Sequence, residues 1–172
     1  MALAERIVMK EKKHNLVIVS RGPAFIVILV LPFLILSDRW ISNGAWRFQI
    51  WGILPMAVGI LIWVWSAWQL SHEGVFPMDE QGRPGVLVVS GPFQFTRNPL
   101  YVAVLVILAG EAILFESVAL GVYVFLMWRV FRSNIRAEEP ELREKFGAAY
   151  EEFWRTVPRW IGPRRGRHEN TG

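Results

Sequence analysis

The residues best suited to chemistry fall in two short stretches. The first runs Gly85-Val86-Leu87-Val88-Val89-Ser90-Gly91-Pro92-Phe93 and on to Arg97-Asn98-Pro99-Leu100-Tyr101. Gly85, Gly91 and Pro92 mark a loop, while Asn98 is a good N-cap and Pro99 a good first helical residue. A helix begun there presents free N–H groups and a positive dipole end, and Arg97 adds a full charge beside it. That combination can seat a carboxylate or a phosphate; it can equally be a capped helix with an arginine at lipid headgroups. The second stretch is Asn134-Ile135-Arg136-Ala137-Glu138-Glu139-Pro140. Adjacent carboxylates offer acceptors for hydroxyl groups and a base for a proton. Pro140 disfavours helical backbone at Glu139, so the sequence predicts that a helix ends or kinks there. Both carboxylates then sit at a helix C-terminus, where the dipole opposes negative charge. Either function holds them there, or Arg132, Arg136 or Arg143 neutralises them.

The elements around these stretches are apolar. Of 172 residues, 53% are hydrophobic and only 20% charged, and Cys is absent. The lack of cysteine excludes disulfides, thiolate metal sites and a Cys nucleophile, and no metal site is expected. Four spans are predicted, at about 23–37, 48–71, 99–115 and 117–135. The last two share an apolar stretch too long for one crossing, so a tight turn is placed near Glu116-Ser117. Leu142, Phe146, Tyr150, Phe153 and Val157 recur at helical spacing and predict an amphipathic helix over about 140–156, lying on the membrane and able to cover the site. Its apolar stripe is read as packing. The expected fold is therefore all-α: an integral-membrane bundle over 23–163, with an N-terminal segment 1–22 and a basic tail 164–172. On this folding 17 of the 19 Lys and Arg fall on one side, with Arg39 and Arg47 opposite. The excess of positive charge places both termini and the site in the cytoplasm, at the inner membrane of a bacterium or the endoplasmic reticulum of a eukaryote. The net charge of +4 then reports topology. Arg159 and the tail arginines read as a patch for anionic lipid, and no nucleic-acid motif accompanies them.

Taken in order, the motifs carry a resemblance. A Leu-Val-x-Ser-Gly-x-aromatic loop is followed by Arg-Asn-Pro-x-Tyr opening a span, a short hairpin, Glu-Glu-x-x-Leu, Phe-Gly-x-x-Tyr and Val-Pro-Arg. Over roughly residues 45–163 the chain resembles the isoprenylcysteine carboxyl methyltransferases and the related phospholipid methyltransferases. The resemblance implies an integral-membrane enzyme that uses S-adenosyl-L-methionine without a Rossmann domain and acts on a lipophilic acceptor. It implies that Gly85, Val86, Leu87 and Val88 line the adenine through their backbone and that Phe93 stands for a family aromatic. Asn98, Pro99, Leu100 and Tyr101 match the family's Arg-His-Pro-x-Tyr cofactor motif behind Arg97. Glu139 would hold the cofactor through its ribose, and Glu138 would meet the substrate and act in catalysis.

Two departures bear on the acceptor. Asn98 stands where prenylcysteine enzymes carry His, and Asn134 stands where they carry a substrate-contacting Arg. Arg132 or Arg136 would substitute for that Arg, which makes Arg136 an expected catalytic residue and Asn134 an expected substrate contact. Both changes weaken the case for a prenylcysteine carboxylate; a phospholipid or a small lipophilic molecule remains open. His72 is a second candidate base, or simply an interfacial residue. Two other classes stay in view: an NADPH-dependent membrane reductase similar in its C-terminal region, and a non-enzymatic membrane protein.

Overall fold

The computed structural model describes residues 49–73 and 85–162. The expected first span, the N-terminal segment and the basic tail lie outside them. Among the described residues there are four helices: α1 (Ile53–His72), α2 (Pro99–Leu114), α3 (Val118–Phe146) and α4 (Ala148–Thr156). Single 3-10 turns occupy Ile50–Gly52 and Gly91–Gln94, and no strand occurs among the described residues. Ile50–His72 and Val118–Phe146 are long and apolar enough to cross a membrane, and Pro99–Leu114 is a shorter apolar helix. The outward faces fit a lipid solvent. Leu54, Leu61 and Val64 of α1 are 67%, 69% and 54% exposed, and Phe125 and Leu126 of α3 are 58% and 52% exposed. A continuous apolar face of this kind suits hydrocarbon and is costly in water.

Helices α1 and α2 run antiparallel with their backbones close. A Cβ on Gly52 would lie 2.5 Å from the Gly110 carbonyl oxygen, and one on Gly59 would lie 2.9 Å from that of Ala103. Small residues allow this approach, and close packing replaces the hydrophobic drive that lipid does not supply. The turn expected at Glu116-Ser117 joins α2 to α3. Glu116 takes a left-handed φ of 48°, and the Ser117 hydroxyl caps α3 by accepting from the Leu120 amide at 3.2 Å. Leu108 of α2 then meets Tyr123, Met127 and Phe131 of α3 in one buried cluster.

Of the end or kink expected at Pro140, the end is not there. Helix α3 continues through Pro140 to Phe146. A proline removes one intrahelical donor but leaves the rest of the ladder, and Pro140 sits on the exposed side. The break falls at Gly147, whose φ of 52° and ψ of −127° suit glycine alone, and whose amide closes the helix on the Arg143 carbonyl at 2.9 Å. Glu138 and Glu139 are thus two turns inside a helix, not at its C-terminus. At 29 residues α3 is about 44 Å long, so its last turns extend past a hydrocarbon core of about 30 Å. Beyond Gly147, α4 folds back. Tyr150, Phe153 and Val157 bury against Val88 and Phe93 of the loop, with Leu70, Leu142 and Phe146 around them. The amphipathic stripe is packing, and it covers the loop.

Candidate functional site

The loop before α2, the far end of α3 and α4 enclose a cavity of about 120 Å³. It is lined by Leu70, Val86, Leu87, Val88, Phe93, Arg97, Asn98, Ile135, Glu138, Glu139, Leu142, Tyr150 and Phe153. Eight of the expected site residues therefore share one wall. Tyr101 reaches the same place from below: its hydroxyl donates to Glu138 Oε1 at 3.2 Å. Gly85, Pro99, Leu100, Asn134 and Arg136 are not in the lining. Pro99 is buried where α2 begins, and Arg136 is exposed on α3. A stand-in role for Arg136 thus finds no contact in the cavity.

The centre of the site is an ion-pair triad. Arg97 Nη1 donates to Glu139 Oε1 at 2.9 Å. Arg159 donates from Nε to Oε1 at 3.0 Å and from Nη2 to Oε2 at 2.5 Å. The Arg97 and Glu139 side chains are only 8% and 12% exposed. Burial pushes the Arg97 guanidinium below its ordinary range, and Glu139 opposes that shift. A carboxylate has about four acceptor positions, and three of those on Glu139 are taken. At most one is left for a ribose hydroxyl, so the main work of Glu139 is to hold two arginines. Two of the three neutralising partners expected from sequence are engaged elsewhere, and the third, Arg136, is exposed. Arg143 pairs with Glu151 at 3.4 Å and stacks over Trp154, and Arg132 stacks over Trp128.

Arg159 is the site residue that sequence reasoning misplaced. It belongs to the triad, not to a lipid-facing patch. Three hydrogen bonds bring it there: the Arg97 amide donates to the Pro158 carbonyl at 3.0 Å, the Thr96 hydroxyl to the Arg159 carbonyl at 3.1 Å, and Asn98 Nδ2 to the same carbonyl at 3.0 Å. Asn98 stands at the N-cap position but makes no side-chain cap. Its amide is spent on fastening the C-terminal segment, which explains how a neutral residue serves there. The one available signal was the Val-Pro-Arg motif itself. Tyr150 is visible in the sequence as a member of the apolar stripe and as the last residue of the Phe-Gly-x-x-Tyr motif, neither of which assigns it to the site; burial raises its hydroxyl above the ordinary range.

Glu138 differs sharply from its neighbour. Its hydrogen bond comes from a neutral hydroxyl, and burial pushes its carboxyl above the ordinary range, only partly offset by Tyr101. Two adjacent carboxylates are therefore set apart by environment: one locked in charge pairs, the other a desolvated group that holds its proton more tightly than an ordinary carboxylate. His72 is exposed and stacks on Trp68 at 5.1 Å between ring centroids, away from this cavity.

Fold and site together define, among the described residues, a helical protein with membrane-length apolar helices and, at their ends, a largely apolar cavity that carries charged groups. The sequence profile of the phospholipid methyltransferase family matches residues 48–149, and the chain belongs to that family. A protein-S-isoprenylcysteine O-methyltransferase of Saccharomyces cerevisiae is 33% identical over 69 residues, covering 40% of this chain and 29% of that protein. The matched region is less than a third of the relative's length. No solved structure matches the chain.

Proposed function

We propose that the protein is a membrane methyltransferase that takes S-adenosylmethionine as donor at this cavity and methylates a lipophilic acceptor at a neutral or amine group. The donor set suits such a ligand. Val86, Leu87, Val88 and Phe93 offer apolar surface for an adenine. The cationic Arg97, whose buried Nε has no acceptor, suits a carboxylate. Glu139 retains one acceptor position for a hydroxyl. The cavity is smaller than the roughly 300–1,000 Å³ of typical ligand clefts, so it would hold one part of the donor. When bound, S-adenosylmethionine supplies an electrophilic methyl on a sulfonium.

The chain's own residues would then do three things. Arg97 and Arg159, fixed through Glu139, hold charge at one end. The apolar lining excludes water and helps align the reacting groups. Glu138 takes the proton that an amine or hydroxyl must lose before or during attack.

The observation that carries the choice of acceptor is the contrast between the two carboxylates. Arg97 of the cavity lining and Arg159 behind Glu139 both donate to Glu139, while Glu138 receives a neutral hydroxyl. An anionic acceptor beside Glu138 would meet like charge, whereas an amine or hydroxyl meets a base. The departures at Asn98 and Asn134 agree with this. We further propose the four-span arrangement, with the cavity and both termini cytoplasmic. Calorimetry on purified protein tests the donor: S-adenosylhomocysteine binds and NADPH does not. Binding of NADPH in its place would promote the reductase reading, and binding of neither at millimolar concentration would sink the enzymatic one.

A further inference from the structure

The loop that lines the cavity is joined to α1 by a hydrogen-bonded clasp at the end of that helix. Gln69 is 8% exposed. Its Nε2 donates to Ser90 Oγ at 2.8 Å and to Glu73 Oε1 at 2.9 Å. The Ser90 hydroxyl completes the triangle by donating to the same Glu73 oxygen at 2.6 Å. These hydrogen bonds hold the Glu73 carboxyl below its ordinary range, Ser90 contributing most. The next residue, Gly91, has a φ of 58°, and a Cβ there would lie 2.9 Å from Gln69 Oε1. The side-chain amide therefore lies close against the loop backbone. Directly beyond, Pro92 and Phe93 are buried, and Val88 and Phe93 enter the cluster that walls the cavity.

We propose that Gln69 is a positioning residue: through Ser90 and Glu73 it fixes residues 86–93 of the cavity wall against α1 and so sets affinity for the methyl donor. The role rests on the donor-site reading above. Nothing in the clasp touches the cavity directly; Gln69, Glu73 and Ser90 are absent from its lining. Gln69 acts through backbone placement, so its loss should weaken donor binding and leave the bound complex able to react.

The test is calorimetric binding of S-adenosylhomocysteine to the purified full chain, with donor KM and kcat measured alongside. Gln69→Leu removes both donated bonds at similar volume. Losing two hydrogen bonds of ordinary strength should raise Kd and donor KM about tenfold, with kcat at saturating donor within about threefold. Ser90→Ala should raise Kd by about fivefold, and Ser90→Thr, which keeps the hydroxyl, should bind within about twofold of wild type. If Gln69→Leu does not fold, the Ser90 pair decides, because neither change alters the helix. Kd within twofold of wild type for both Gln69→Leu and Ser90→Ala, or kcat lost with Kd unchanged, overturns the proposal. If wild type itself binds no S-adenosylhomocysteine, the donor-site reading falls and the affinity role with it. Amide hydrogen exchange then reads the clasp alone: faster exchange over residues 86–93 in Gln69→Leu shows that the clasp orders the loop, and unchanged exchange shows that it does not.

Discussion

Glu138 and Glu139 are neighbours in sequence, and burial and partners divide their labour. Because desolvation raises the Glu138 carboxyl, its charged form appears only at higher pH. A base must be deprotonated, so kcat/KM should climb with pH through a value above the usual carboxylate range. Glu138→Gln should abolish that limb and lower kcat by about 10²–10⁴-fold, with S-adenosylhomocysteine affinity within a few fold of wild type. The linkage to stability has the opposite sense. Folding raises this group's affinity for its proton, so its contribution is fully present at low pH and is lost as pH rises through the folded-state value. Glu139 tests a different idea. Removing it leaves Arg97, at 8% exposure, without its carboxylate, and Glu139→Ala should cost about 3–5 kcal/mol in unfolding of the detergent-solubilised protein. Adding Arg159→Ala should recover part of that loss in a double-mutant cycle. The types and spacing of these residues were legible in the sequence; their pairing was not. Arg159 is 20 residues from Glu139 and is carried to it by backbone bonds to Thr96, Arg97 and Asn98, which no local pattern encodes.

Among the elements, α1, α2 and the hairpin turn could be read directly. An uncharged run sets the length of α1, Pro99 starts α2, and Ser117 caps α3. The end of α3 could not be read so simply, because two breakers compete over a few residues. Pro140 costs the helix one donor, whereas Gly147 takes a backbone conformation that other residues enter with strain, and packing of the turns between them favours continuation. Gly147→Ala should therefore destabilise by about 1–3 kcal/mol, seen as a lower thermal midpoint. It should also loosen α4 over the cavity, seen as faster amide exchange at Tyr150 and Phe153. The clasp at Gln69 belongs to this scale as well: it joins a membrane-length helix to the loop by side-chain hydrogen bonds.

At the scale of the molecule, membrane-length helices meet a cavity at their ends, and the described chain offers no separate domain to carry chemistry. The proposed topology is testable because the native chain contains no cysteine. Single cysteines should be silent until placed: Glu116→Cys, in the α2–α3 turn, should react with a membrane-impermeant maleimide from the non-cytoplasmic side. Glu144→Cys, exposed at the other end of α3, should react only after the membrane is opened. The reverse pattern would invert the orientation drawn from the basic residues. The central claim, donor methyl transfer to a lipophilic acceptor at Glu138, is tested most directly by incubating membranes that carry the protein with radiolabelled S-adenosylmethionine and extracting the lipid. Label should enter the lipid fraction with wild type and stay at background with Glu138→Gln; no label in lipid with wild type, or equal label with both, would contradict the account.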